Sequence, residues 1–451
     1  NGELLRYDPE VVAAYKQYRD YMDRDVIYPG IFVDGIHVGD LTVEEARQLL
    51  TANGSDVPNA FSVTVAIGNK TWTVDSSNVP AQRDLGNVLE RAYAIGRTNT
   101  TAIQSTLQTP FRERTNRAVA LRESGINLTT TASYDHEAVR ALVADIAAYV
   151  TRDPVDAQIQ SFDYATRTFS FTESQPGVTL DQDLLYERVT AALDRWESGV
   201  TVTVDPIVTE PAVTKDELVA SFGLVAAYTT ETPNDSNRNT NIDLACQAIN
   251  GTALMPGETF SFNQATGQRT TEKGYKSAGA IAAGQSIEEV GGGICQVSST
   301  LFNAVARANL EIVSRSPHAW PSTYVNIGED ATVNWPNLDF QFKNNTKSPI
   351  FIITYYKNRR MSAEIWGMSL GEGVTIDLQS TIIKTIDPPS EVKYELNTDL
   401  PYGTEKTTVK ARTGYVVETE KVWYKDGQET RRELLHTSNY RAYQQVIEYN
   451  Y

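Results

Sequence analysis

The sequence predicts a multidomain α+β protein: two α+β repeats, a third α+β domain, and a small all-β C-terminal module. Three observations lead there. A chain of 451 residues is too long for one ordinary core and fills about three or four domains. The order helix, hairpin, helix recurs within the first half. From about residue 371 onward the text becomes strand-like, as in "VKYELNTDLPYGTEKTTVKARTGYVVETEKVWYKDGQETRRELL".

Residues 1–25 read as a helical segment that would follow a membrane anchor lying upstream. Residues 26–125 form the first repeat. "GIFVDGIHVGDLTVEEARQLL" gives a short strand, a turn at Asp34-Gly35, and a helix N-capped by Thr42 with Glu45 completing a capping box. "FSVTVAIGNKTWTVDSSNV" is a hairpin turning at "GNK", and a helix follows from about Leu85 to Ile95. Residues 126–213 repeat this order: a helix with Leu142, Ile146 and Val150 on one stripe, a hairpin in "AQIQSFDYATRTFSFT", and a helix in "LDQDLLYERVTAALDRW". The proline-bearing stretch 202–218 marks a boundary. Residues 214–368 form the glycine-punctuated α+β domain and 369–451 the β module, with a hairpin turn at Lys425-Asp426-Gly427.

Hydrophobic residues make up 41 % of the chain and charged residues 22 %, as in folded rather than disordered material. The formal charge of −17, from 57 acidic against 40 basic residues, argues against a nucleic-acid partner, which demands clustered Lys and Arg. The chain has no run of apolar residues long enough to span a membrane. Two cysteines make no disulfide framework, and with four histidines in all a structural zinc site is not expected. The expectation is no cofactor and no metal.

The informative stretch is "GGGICQVSSTLFNA", residues 291–304. After Gly293 a helix template fits, with Val297, Leu301, Ala304, Val305 and Ala308 on one apolar stripe. Cys295 lies off that stripe, roughly 220° around the axis, beside Ser299, Phe302 and Asn303. A cysteine in the first helical turn has its thiolate stabilised by the helix dipole. The amides of Gly292, Gly293 and Cys295 would form an oxyanion hole. A small core residue, half of a disulfide with Cys246, or a metal ligand are the other readings of Cys295 that residues alone leave open. Cys246, in "NIDLACQAIN", reads as plain core. His318, bracketed by Pro317 and Pro321, is the nearest base, and Asp330 or Glu329 the group that would orient it. Ser298, Ser299 and Thr300 follow the cysteine, but no base for a serine nucleophile is evident.

The run "NRNTNIDLACQAINGTALMPGETFSFNQATGQRTTEKGY", then "GGGICQVSSTLFNAV", "HAWPSTYVNIGEDATV" and "FKNNTKSPIFI", resembles a VanW domain over about residues 229–355. The N-terminal repeats, above all "GIFVDGIHVGDLTVEEA", are similar to the peptidoglycan-binding units that often precede VanW domains. The tail, with "DLPYGTEKTTVKARTGY" and "YKDGQETRRELL", resembles the G-five domain of wall-associated proteins. Some VanW-domain proteins are regarded as L,D-transpeptidases, and the resemblance implies a cysteine acyltransferase with Cys295 as nucleophile and His318 and Asp330 at the matching positions. It implies peptidoglycan stem peptides as partners and a location on the wall side of a Gram-positive membrane. Arg269, Arg315, Ser299 and Tyr324 are the expected substrate contacts. The rival readings are a non-catalytic wall-binding module and a carboxypeptidase or cysteine peptidase acting on stem peptides.

Overall fold

The computed structural model describes residues 24–97, 111–282 and 285–451, with a few positions between 9 and 19. The helical segment expected over 1–25 falls mostly outside the described residues. The protein is a multidomain α+β chain that divides into two compact units, residues 1–155 with 175–211, and residues 156–174 with 212–451.

In the first unit the local expectations hold. Thr42 accepts from the Glu45 amide while Glu45 reaches back to the Thr42 amide, closing the capping box of helix Val43–Ala52. Strands Ser62–Ile67 and Lys70–Asp75 form the "GNK" hairpin, with Gly68 at φ +57°. Helices Leu85–Ala94, His136–Val150 and Gln182–Leu193 follow in the expected order. The two repeats, however, share their cores. Strand Ile31–Val33 pairs in parallel with Ile126–Leu128, and Ser198–Thr203 pairs in parallel with Ser62–Ile67. The first hairpin packs Val63, Val65 and Val74 against Val139, Ile146, Leu185 and Val189 of the second repeat's helices.

The second hairpin, Ile159–Asp163 with Thr168–Phe171, belongs to the second unit. Its Phe162 packs on Phe351 and Trp366, with ring centroids 4.8 and 5.7 Å away. Arg167 grips Glu364 through Nε at 2.8 Å and Nη2 at 3.2 Å. Each repeat thus passes its hairpin forward, the first to the second repeat and the second to the domain that follows.

That domain is built on an antiparallel sheet ordered Phe222–Glu231, Arg360–Met368, Ile350–Lys357, Thr252–Leu254. Helices Ser236–Ile249 and Ile294–Arg307 pack on it and on each other. The C-terminal module forms two three-stranded sheets. The first holds Val374–Ile386, Gly414–Lys425 and Gln428–Tyr440; the second holds Lys393–Leu396, Val446–Asn450 and Thr404–Val409. The module is not detached from its neighbour: Leu378 enters the same core as helix Ile294–Arg307, and Arg307 pairs with Asp377 at 2.7 Å.

Candidate active site

Three glycines precede the helix because the backbone makes two different demands. Gly291 and Gly293 stand at φ +89° and +102°, a left-handed conformation that side chains disfavour. Gly292 needs space instead: a Cβ there would lie 2.3 Å from the Ala278 carbonyl oxygen. Asn241, wholly buried, staples this turn to the neighbouring helix by donating to the Lys276 and Gly292 carbonyls, each at 2.9 Å, and accepting from the Lys276 amide. The Gly292 amide donates to the Glu289 carbonyl at 3.1 Å. The Gly292 amide is thus engaged within the turn, where the expectation had it facing an oxyanion, and what the position demands is the space a side chain would fill. Ile294 and Gln296 also donate into the turn, to Gly291 and Gly293, whereas the amides of Gly293 and Cys295 have no backbone acceptor among the described residues.

Helix Ile294–Arg307 carries the expected apolar stripe, but its other face is not solvated. Gln296, Ser298, Ser299, Thr300 and Asn303 are each fully buried. Gln296 and Thr300 bind Thr230 and Glu231 of the neighbouring strand, and the other three bind the loop that follows. Ser298 and Ser299 donate to the Ala331 carbonyl, Ser299 accepts from the Ala331 amide at 2.9 Å, and Asn303 donates to the Glu329 carbonyl at 2.8 Å. Ser299 is thus a loop anchor and not the expected substrate contact. This polar face clamps residues 329–331 over the helix start, where Cys295 alone stays partly exposed.

The clamp decides between the two carboxylates. Glu329 turns to Arg307 and Asn326, and its burial holds its carboxyl above the usual range. Asp330, 1 % exposed, accepts at Oδ2 from the His318 amide (2.7 Å) and from His318 Nδ1 (2.5 Å). Its Oδ1 accepts from Arg315 Nη2 at 3.0 Å and from the Tyr440 hydroxyl at 2.6 Å. With Nδ1 engaged, His318 turns Nε2 toward the Cys295 thiol and the Tyr324 hydroxyl, the latter 3.4 Å away. The Cys295 thiol lies beside that ring and donates to the Val333 carbonyl at 3.4 Å.

The electrostatics follow from this arrangement. Burial alone would raise the Cys295 thiol, but the hydrogen bond and charge of His318 outweigh it and hold the thiol below its ordinary value. Burial would lower His318, but Asp330 and the thiolate lift it to about 9. Burial would raise Asp330, yet His318, Arg315 and Tyr440 hold it at about 2. The shifts favour the charged forms of all three groups. Cys246 is instead 1 % exposed within the core, burial pushes its thiol well up, and both cysteines are free.

Cys295 and His318 line a cavity of about 1060 Å³, with Tyr324, Trp320, Arg238 and Arg269 in its wall. Both terminal nitrogens of Arg269 are buried there without a hydrogen-bond partner among the described residues, its guanidinium over the Phe262 ring at 5.6 Å. Arg315 is placed otherwise than expected. It spends its donors on the Asp330 carbonyl and carboxylate, the Gly328 carbonyl and Ser438, and so holds the loop. Arg238, which supports Gln296 at 3.0 Å, and Tyr440 and Ser438 from the C-terminal module were not signalled by any sequence motif.

A VanW-like protein model matches residues 237–366, the span holding the glycine turn, its helix and the His–Asp loop. A model described as "Putative peptidoglycan binding domain" matches residues 72–201, and a G5 domain matches 379–450. This set of domains is that of a cell-wall-associated protein. The chain belongs to the VanW-like family: "Uncharacterized protein YoaR" of Bacillus subtilis (strain 168) is 32 % identical over 299 residues, covering 66 % of this chain and 94 % of that protein. "Vancomycin B-type resistance protein VanW" of Enterococcus faecalis (strain ATCC 700802 / V583) is 33 % identical over 115 residues, 24 % of this chain and 42 % of that protein. Among solved structures, the IgA1 protease G5 domain covers 17 % of this chain and 92 % of its own length at 22 % identity and a TM-score of 0.12.

Proposed function

We propose that this chain is a peptidoglycan L,D-transpeptidase that forms 3→3 cross-links through a thioester on Cys295. The observation that carries the reading is Cys295 and His318 on one cavity wall, the imidazole held by Asp330, with an unpaired arginine in the same cavity. The thiolate attacks the carbonyl carbon of the third residue of a tetrapeptide stem. The oxyanion forms at the start of the helix, facing the Cys295 amide. The C–N bond to the terminal D-alanine breaks as the His318 imidazolium gives its proton to the leaving amine. A side-chain amine of a second stem then attacks the thioester, His318 takes its proton, and the thiolate leaves as the new amide forms. Asp330 keeps the ring in the orientation both proton transfers need. Arg269 would receive a carboxylate of the donor stem, the planar anion its fork geometry fits.

A wall-binding module without chemistry needs neither a depressed thiol nor an imidazole aimed at it. The test is to incubate the protein and its Cys295→Ala variant with a disaccharide-tetrapeptide and follow products by mass spectrometry. Release of D-alanine with cross-linked dimer, abolished in the variant, is the expected result. D-alanine without dimer would replace the transpeptidase by a carboxypeptidase. No acylation of a well-folded protein by stems of several chemistries would overturn the enzymatic reading.

A further inference from the structure

We infer that the C-terminal module is part of the catalytic apparatus, with Tyr440 as a positioning residue that holds Asp330 and, through it, the His318 ring. This rests on Cys295, His318 and Asp330 being the reacting set. His436, Ser438 and Tyr440 alternate along strand Gln428–Tyr440, so all three point to one face, and that face meets the loop bearing His318 and Asp330. His436 Nε2 donates to the Gly328 carbonyl at 2.8 Å, and Ser438 accepts from Arg315 Nη1 at 2.7 Å. The Tyr440 hydroxyl accepts from the Gly328 amide at 2.8 Å while donating to Asp330 Oδ1 at 2.6 Å. Thr437 and Asn439, on the opposite face, are exposed.

The module also grips the loop beside His318 itself. The Arg441 amide donates to the Ala319 carbonyl at 3.1 Å, and Trp320 is covered by the Arg412 guanidinium at 4.2 Å and by the edge of Tyr443. The carboxylate's orientation depends on this arrangement. Both hydrogen bonds to His318 use Oδ2, so what stops Asp330 turning about its own side-chain bonds is the pair on Oδ1, from Tyr440 and Arg315. Tyr440 is one of these donors and Ser438 steadies the other. Tyr440, 1 % exposed, also closes the Gly328 amide, so its hydroxyl fixes backbone and carboxylate together.

The charged and titratable groups facing this set are Cys295 from the helix, Arg269 and Arg238 from the cavity wall, Arg315, Tyr324 and Glu329 from the loop, and His436 and Tyr440 from the module. Tyr440→Phe removes the hydroxyl and changes no charge. In the full chain, the rate of Cys295 alkylation by iodoacetamide is followed against pH by mass spectrometry, with melting temperature measured alongside. The expected result is an inflection raised by about half a unit or more, hence alkylation about threefold slower at pH values below the inflection. Ser438→Ala moves it the same way and serves as the test if Tyr440→Phe does not fold. An inflection unchanged or lowered, whatever the melting temperature, overturns the positioning role alone. A wild-type thiol no more reactive near neutral pH than an ordinary one overturns the nucleophile reading itself, and this inference with it.

Discussion

Removing the Cys295 thiol should make the second unit's stability pH-dependent where the native protein's is flat. In the folded native site His318 holds a proton up to about pH 9 while Cys295 has given one up below its ordinary value. In the unfolded chain the reverse holds between about pH 6.5 and 8.5: histidine is neutral and cysteine protonated. Wherever the ion pair is the resting form, both states bind one proton and stability has no slope. In Cys295→Ala the cysteine proton disappears from the unfolded side, leaving only the raised histidine. A raised group contributes stability that is complete below its unfolded value and is lost as pH climbs to its folded one. The variant therefore loses stability above pH 6.5 at up to about 1.4 kcal/mol per unit. The thiolate supplies part of the lift on His318, so the histidine of the variant titrates below 9, and the total loss is about 1–2 kcal/mol. Urea midpoints of both proteins at pH 6, 7, 8 and 9 under reducing conditions would show it. Other titrations, including that of Cys246, cancel in the difference. A difference that stays constant across this range would refute the ion pair as the resting state.

Other consequences are as direct. Asp330→Asn keeps the shape but removes the charge that lifts His318, and leaves Arg315 buried without its counter-charge; it should slow Cys295 alkylation at pH 7 by tenfold or more and destabilise by about 3–5 kcal/mol, read from thiol kinetics and urea unfolding. Arg269→Gln should weaken binding of a tetrapeptide stem with a free terminal carboxylate by about 10–100-fold and leave its carboxamide unaffected, measured by calorimetry in a Cys295→Ala background. Gly292→Ala drives a methyl into the Ala278 carbonyl and should cost at least about 1–3 kcal/mol, with the reactivity of Cys295 falling in parallel. Phe162→Ala should cost about 3–5 kcal/mol in the unfolding transition of the second unit, because its ring packs there.

Most of the local structure was legible because it is written in short-range chemistry. The Thr42–Glu45 box, the "GNK" turn and the helix after Gly293 all rest on residues within a few positions of each other. The nucleophile candidate was legible for the same reason, from glycine, helix start and cysteine in sequence. The work of that helix's polar face was not legible, since nothing near Ser298, Ser299 and Asn303 in sequence shows that residues 329–331 cover them. Gly292 looked like an amide donor because three identical letters do not reveal which of them faces a neighbouring carbonyl. The partners of Asp330 were half legible: His318 stands 12 residues away, but Tyr440 is 110 residues off in what reads as another domain. The exchange of hairpins left no trace at all, since either hairpin, taken alone, is compatible with packing on its own repeat.

That exchange bears on how the chain acquires its shape. The pair Arg167–Glu364 joins residues 197 positions apart, across the whole strand-and-helix closure of the first unit at 175–211. Such long loops are entropically costly before any contact rewards them, and contacts of this span slow folding. Phe169 and Phe171 meet Phe222 soon after the hairpin, but Phe162 must wait for Phe351 and Trp366, which lie far toward the C-terminus. At roughly 5–20 residues per second of synthesis the interval is on the order of ten seconds or more. A nascent chain therefore presents the Phe162 ring well before the strands that cover it exist.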